Sequence, residues 1–277
     1  MGKRILIAIP ALGLLFCVLW FHGLFARIAV SLVGVLCMYE MLRVLGADGS
    51  KPVKSVGFLF AALTWPIYEY VVGWWRFGGG FWALASMLVL AVMAIFLILV
   101  LTGRSAEDGI RTVYALIYPG LFFAFLIAII CIPNAMASRF MFLLAFVGAA
   151  LTDTFAYFGG SLFGKHKLAP EISPKKTVEG AIIGAVFGGL GVLLTGILFQ
   201  RFFLREQAVP VYLYAILGLT LSVLSQVGDL TASIIKRQFK VKDYGNIMGA
   251  HGGAMDRLDS VIFISPIVCA FYYVFIH

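Results

Sequence analysis

Asp256 and Asp259 stand three residues apart near the end of the sequence. On a helix that spacing puts both carboxylates on one face. Hard oxygen ligands of this kind suit Mg²⁺, which takes one or two carboxylates and fills the rest of its shell with phosphate oxygens and water. Cations crowd the same segment. Ser233 to Asp259 contains Lys236, Arg237, Lys242 and Arg257, and His251, Gly252 and Gly253 come just ahead of the carboxylate pair. Charge of both signs beside glycines that let a ligand approach the backbone points to chemistry on phosphate groups. The competing reading is a solvated helix start, where aspartates suit the positive end of the dipole. It leaves Arg257, His251 and the paired glycines without a reason.

Two further carboxylates lie inside apolar sequence. Asp229 follows Gly228, and Asp153 sits in Leu151-Thr-Asp-Thr-Phe155. A carboxylate in a membrane is costly unless paired or metal-bound, so function is the default expectation. Asp229 is assigned to metal coordination with Asp256 and Asp259; an ion pair with Lys236 or Arg237 is the alternative. Asp153 is the less certain fourth ligand, because a cation in the following loop would also satisfy it. Glu40 and Glu69, also in or near apolar sequence, are read as structural hydrogen-bonding groups or as residues placed at the membrane interface. A second basic segment, Ser173-Pro-Lys-Lys176-Thr177, precedes Val178-Glu179-Gly180. Serine then proline predicts a helix start, with Ser173 as cap and Pro174 in the first turn. Lysines at such an end oppose the dipole, which makes sense if an anion binds between them. Ser173, Lys176 and Thr177 are therefore candidate nucleotide contacts, with His251, Gly252 and Gly253 from the later segment. Gly159, Gly160 and Gly164, ahead of Lys165-His166-Lys167, are a weaker signal.

The elements that must position these groups are membrane helices. The 277 residues are 62% hydrophobic and only 12% charged, about half the charge of a soluble domain. Apolar stretches near 20 residues recur from end to end, which is the transmembrane signal. The expected fold is an all-α polytopic membrane protein of about nine helices, near residues 5–21, 24–45, 55–75, 81–101, 112–132, 139–161, 177–203, 211–235 and 258–276. Pro66 would kink the third. The first apolar run follows Lys3 and Arg4 without a small-residue cleavage site, so it is read as a retained helix. Residues 1–135 form N-terminal spans and 136–277 a C-terminal catalytic region, within one continuous domain. Two polar loops, 162–176 and 236–257, carry the candidate site.

Strict alternation from a cytoplasmic N-terminus puts sixteen of the 21 Lys and Arg inside. Only Arg27, Arg76, Arg139, Arg201 and Arg205 fall outside. That bias supports an N-in arrangement and places both polar loops on the cytoplasmic face. The net charge of +8 then reflects residues beside anionic lipid, and nucleic acid is not an expected partner. Cys17, Cys37, Cys131 and Cys269 lie in apolar runs without a CxxC pair, which argues against zinc.

The stretch Ser233-x-x-Lys236-Arg237, Lys242-Asp243, His251-Gly252-Gly253 and Asp256-Arg257-x-Asp259 resembles the signature of the phosphatidate cytidylyltransferases, or CDP-diacylglycerol synthases. Gly228-Asp229-Leu, Phe163-Gly-Lys-His-Lys-Leu-Ala-Pro170 and Ser173-Pro-x-Lys-Thr177 resemble the family too. Met248 and Ala254 depart from its larger apolar residues. The strong match covers roughly the last 125 residues, and the N-terminal spans agree only in hydropathy. The resemblance implies that CTP and phosphatidic acid give CDP-diacylglycerol and pyrophosphate, in phospholipid biosynthesis at a cell (inner) membrane. It also implies Mg²⁺, with K⁺ as a candidate companion, a homodimer, and metal carboxylates at Asp229, Asp256 and Asp259.

For such a reaction the lipid phosphate is already ionised, so catalysis is positioning and charge neutralisation. Lys236, Arg237, Lys242 and Arg257 are the expected phosphate neutralisers. Two rivals share parts of the pattern. A CTP-dependent lipid-alcohol kinase would release CDP instead of pyrophosphate. An ion-coupled transporter would use Asp153 and Asp229 as midplane sites, but leaves the cation–glycine–aspartate cluster unexplained. The four-aspartate motif of the CDP-alcohol phosphotransferases is absent.

Overall fold

The computed structural model describes residues 13, 15–74, 79–203, 209–247 and 252–276. It is helical almost throughout. The chain packs as two compact units, Met1–Cys131 with Gln238–Leu258, and Ile132–Arg237 with Asp259–His277.

The first unit contains α1 (Leu24–Leu45), α2 (Lys54–Trp74), α3 (Gly79–Thr102), α4 (Ala106–Ala115) and α5 (Phe122–Ile130). A π-helical turn, Leu116–Leu121, joins α4 to α5. Tyr118 leaves helical geometry there (φ −126°, ψ 111°), one residue before Pro119. Proline has no N–H and its ring clashes with the carbonyl four residues back. The break in this unit therefore falls at Pro119, and α2 continues through Pro66. The α1–α2 contact is tight because Gly57 lies directly against Met38 and Leu42. At the opposite end of α2, Glu69 pairs with Arg27 and accepts from Trp65, the structural role expected of it.

The turn after α1 is held by side chains of α4. Arg111 donates to Leu45 O (2.6 Å), Ser50 Oγ (2.7 Å) and both carboxylate oxygens of Asp48 (2.6 and 2.7 Å). Its guanidinium also covers the Phe239 ring at 5.0 Å. Asp108 accepts from Lys51 N and Thr112 from Val53 N. Backbone groups that the turn cannot pair internally are thus satisfied.

The second unit holds α6 (Ala135–Phe163), α7 (Val178–Phe203), α8 (Val211–Gln238) and most of α9 (Met255–Phe275). Asn134 caps α6 by accepting from Met136 N and Ala137 N. Gly180, Gly184 and Gly188 recur every fourth residue along α7 and face α6. A Cβ at Gly184 would lie 2.8 Å from Thr152 O and from Ala156 Cβ. Small residues at that spacing let two membrane helices approach closely.

Between α6 and α7 lies an antiparallel hairpin of β1 (Lys167–Ala169) and β2 (Ser173–Thr177), in the register Lys167↔Thr177 and Ala169↔Ser173. This corrects the expected Ser173-Pro174 helix start. Helix α7 begins at Val178, and Thr177 caps it by accepting from Gly180 N (3.2 Å). Strand pairing occupies the segment that the Ser-Pro pattern offered to a helix.

Among the described residues, seven helices are long and apolar enough to cross a membrane: Leu24–Leu45, Gly80–Thr102, Ala106–Ile130, Ala135–Phe163, Val178–Phe203, Val211–Gln238 and Met255–Phe275. They fit a polytopic all-α membrane protein. The expected count of nine is not confirmed among the described residues. Most of the first expected span lies outside the described residues. The third corresponds to α2, whose Trp65, Pro66, Tyr68 and Tyr70 lower its mean hydropathy.

Candidate active site

Asp229 is the centre of the charged cluster in the second unit. It sits on α8 and pairs with Lys176 Nζ from β2. Both side chains are about three-quarters buried, with 28% and 26% of their surface exposed. The Asp229 charge acts on Asp153 of α6 and on Asp259 of α9. Lys176 opposes it at Asp153, and Lys236 of α8 opposes it at Asp259. Asp259 is buried at 6% exposure, and its Oδ1 accepts from Ser260 N. Gly228 brings α8 against α9, since a Cβ there would lie 2.5 Å from Phe263 Cβ and 3.1 Å from Asp259 O. Three carboxylates and two lysines from α6, β2, α8 and α9 therefore share one electrostatic environment. Two like charges in such a setting raise each other's energy, and nearby cations lower it.

The hairpin that presents Lys176 is tied down at both ends. Glu179 accepts from Lys165 N (3.0 Å) and His166 N (3.2 Å) and pairs with His166 Nδ1 (2.6 Å). Arg237 Nε donates to Ile172 O at 3.2 Å. One cation assigned to phosphate thus also holds the hairpin turn. Gly160 and Gly164 leave room for Thr177, whose Oγ1 would lie 2.9 and 2.8 Å from a Cβ at those positions. Ser173 and Lys176 belong to the same short strand.

Asp256 lies in the first unit, and its surroundings are different. Its Oδ2 accepts from Tyr244 N (2.7 Å) and Gly253 N (3.0 Å). Gly252 has φ +80°, and a Cβ there would stand 2.8 Å from the same oxygen. That backbone conformation favours glycine. Lys242 and Arg257 are exposed. His251, a candidate nucleotide contact, lies outside the described residues.

Among the described residues, no three His, Cys, Asp or Glu side chains are gathered closely enough to hold a metal ion. The carboxylate oxygens of Asp153, Asp229 and Asp259 are hard donors of the kind a divalent cation takes. Asp153 belongs with Asp229 and Asp259 electrostatically, a link that its isolated place in the sequence left uncertain.

Sequence reasoning also missed how Glu40 is used. The side chain is fully buried, and its carboxylate accepts from Ala254 N (3.2 Å) and Met255 N (2.8 Å) at the start of α9. A lone glutamate in an apolar run was the available signal. The same unit has a cavity of about 780 Å³ whose charged lining is wholly cationic: Arg43, Lys51, Lys54 and Arg104. Outside the spans, the Arg111 guanidinium holds the Asp48 carboxyl at a pKa of about 2.

Helices of membrane length, with a carboxylate–lysine cluster in one unit and a cation-lined cavity in the other, define a polytopic membrane protein. A family profile described as the cytidylyltransferase family matches residues 2–275. The phosphatidate cytidylyltransferase of Bacillus subtilis (strain 168) is 34% identical over 247 residues, covering 86% of this chain and 85% of that protein. The phosphatidate cytidylyltransferase of Aquifex aeolicus (strain VF5) is 38% identical over 157 residues, 57% of this chain and 54% of the relative. That of Staphylococcus saprophyticus is 45% identical over 126 residues, 46% of each. The chain thus spans about half the length of these last two relatives. It belongs to the cytidylyltransferase family.

Proposed function

We propose that the protein is a CTP:phosphatidate cytidylyltransferase. A phosphate oxygen of phosphatidic acid attacks the α-phosphorus of CTP. A new P–O–P bond forms, the bond between the α-phosphorus and its bridging oxygen breaks, and pyrophosphate leaves with that oxygen. The products are CDP-diacylglycerol and pyrophosphate. No strong base is needed, because the lipid phosphate is already anionic, so the protein's work is alignment and charge neutralisation.

The observation that supports this best is the Asp153–Asp229–Asp259 group with Lys176 and Lys236, in a chain of the cytidylyltransferase family. Asp229 and Asp259, with Asp256 one turn earlier on α9 and Asp153 as the fourth candidate, would hold Mg²⁺. The ion would supply charge neutralisation for the phosphates. K⁺ remains a candidate companion. Lys176, with Ser173 and Thr177 on the same strand, orients the nucleotide, and Gly252, Gly253 and His251 complete that role. Lys236, Arg237, Lys242 and Arg257 neutralise phosphate charge. The cationic cavity suits a polyanionic substrate. The acyl chains stay in lipid, and only the headgroup requires a polar site. The membrane is a bacterial inner membrane, the N-terminus and active site face the cytoplasm, and the protein works as a homodimer.

Purified protein given CTP, phosphatidic acid and Mg²⁺ should release pyrophosphate and form CDP-diacylglycerol. Release of CDP from CTP would favour the lipid-kinase reading instead. Ion flux in liposomes without CTP would favour the transporter.

A further inference from the structure

Glu40 is the one fully buried carboxylate among the described residues, and it sits toward the C-terminal end of an apolar helix. Its two oxygens diverge to two successive backbone donors, Ala254 N and Met255 N. These amides lie at the N-terminus of α9, where helical N–H groups have no partner within the helix. Each amide meets a different oxygen, so an amide side chain in the same place would offer an acceptor to only one of them. Both are answered here by a single carboxylate, whose charge also suits the helix dipole.

The rest of the segment is shaped around that carboxylate. A Cβ at either Gly245 or Gly253 would overlap the Glu40 carboxylate. Both glycines are therefore required by a group some 200 positions away in sequence. Arg43, one turn after Glu40 on the same face of α1, donates from Nη2 to Tyr244 O (2.8 Å). Tyr244 N in turn donates to Asp256 Oδ2, as does Gly253 N. Helix α1 thus grips the segment at Tyr244 and again at Ala254–Met255. The two amides that orient Asp256 lie between or beside those grips.

We propose that Glu40, assisted by Arg43, is a positioning residue for the reaction: the two hold Tyr244 and the Gly253–Met255 start of α9, and thereby the orientation of the Asp256 carboxylate. The inference rests on the cytidylyltransferase reading for its consequence in turnover, though not for its geometry. It gives α1 a part in orienting Asp256 that no motif in the N-terminal half announces. It also explains the glycine at 245 and the second glycine of the Gly252-Gly253 pair as space left for a carboxylate.

The test uses the full chain in detergent or nanodiscs, with two readouts. Glu40→Gln keeps size and one acceptor, but turns an N–H₂ toward one of the two amides. Turnover at saturating CTP and phosphatidic acid should fall about 10- to 100-fold, as expected when a reacting group is misplaced by a fraction of an ångström. The KM for CTP should stay within about threefold, because ground-state binding is not the interaction removed. Hydrogen exchange of the peptide covering residues 252–256 should speed up at least about tenfold, with α6 and α7 unchanged. Gly253→Ala should be similarly impaired. Adding Glu40→Asp, which withdraws the carboxylate by one methylene, should recover part of its activity. If Glu40→Gln fails to fold, Arg43→Gln at the exposed end of the clamp carries the same test, with a smaller loss and faster exchange near Tyr244. Wild-type turnover and unchanged exchange at 252–256 in Glu40→Gln would overturn the proposal. So would a lowered yield or Tm with turnover intact, which marks a merely structural carboxylate. Failure of the wild type to release pyrophosphate would instead overturn the functional reading, and the exchange comparison would still decide the positioning role.

Discussion

Glu40 and Asp256 in the first unit are each answered by two backbone N–H groups, whereas Asp229 in the second faces a lysine side chain. Asp259 and Asp153 share that second environment, with Lys236 and Lys176 opposing them. Main-chain amides are fixed by the fold and cannot leave, so they set the direction of a carboxylate. A lysine ammonium sits on a flexible four-carbon stem and can exchange one anion for another. Glu40 and Asp256 are therefore arranged for orientation, and Asp229 for exchange. In the proposed reaction a substrate phosphate would compete with Asp229 for Lys176.

The largest expected effect tests the exchange side. Asp229→Asn or Asp259→Asn should lower pyrophosphate release by about 100- to 1,000-fold, as loss of a group that meets developing charge does. Both variants should still elute as folded protein. Near-normal turnover would remove both from the chemistry. Lys176→Met should raise the CTP concentration for half-maximal rate about tenfold, consistent with the loss of one charge-assisted contact to phosphate. The dependence on phosphatidic acid should change less. Equal shifts for both substrates would mean that Lys176 neutralises Asp229 without touching nucleotide.

The packing beneath the cluster gives a smaller effect. Gly184→Val would push α7 from α6 and cost about 1–3 kcal/mol, read as a lower Tm. Activity should fall in parallel, because α6 carries Asp153 and α7 follows directly from the strand carrying Lys176. A matching substitution at Gly57, which packs α1 against α2, should lower Tm and leave the CTP dependence unchanged. The smallest effect is at the Asp48–Arg111 pair. The folded pKa of Asp48, about 2, lies below its ordinary 3.8. Its contribution is therefore complete above about pH 4 and fades as pH falls toward 2. Unfolding of wild type and Asp48→Asn should converge over that window, and the difference at pH 7 should be slight because Asp48 is exposed. A large difference at neutral pH would show that the turn after α1 carries more of the first unit's stability than its exposure suggests.

Most of the helices were legible because hydropathy reports membrane burial directly. The second, sixth, seventh and eighth expected spans fall within a few residues of α1, α6, α7 and α8. The sequence concealed features that depend on partners far along the chain. Ser173-Pro174 has the local chemistry of a helix cap, yet pairing with residues 167–169 makes it a strand. The charge grouping of Asp153 with Asp229 and Asp259 joins three helices, so no spacing rule could reveal it. Glu40 was visible as an oddity, but its use needed the start of α9 beside it. Pro119, inside the expected span 112–132, marks a π-helical turn that hydropathy does not reveal. The clustered motif of residues 233–259 was readable because its chemistry is concentrated locally; the residues that hold it in place are not.

The most direct test of the central claim is a product measurement on purified wild-type protein with CTP, phosphatidic acid and Mg²⁺, with Asp229→Asn assayed beside it. Pyrophosphate and CDP-diacylglycerol should appear in equal amounts and be lost together in the variant. CDP released without CDP-diacylglycerol, or equal formation of both products by the variant, would contradict the account.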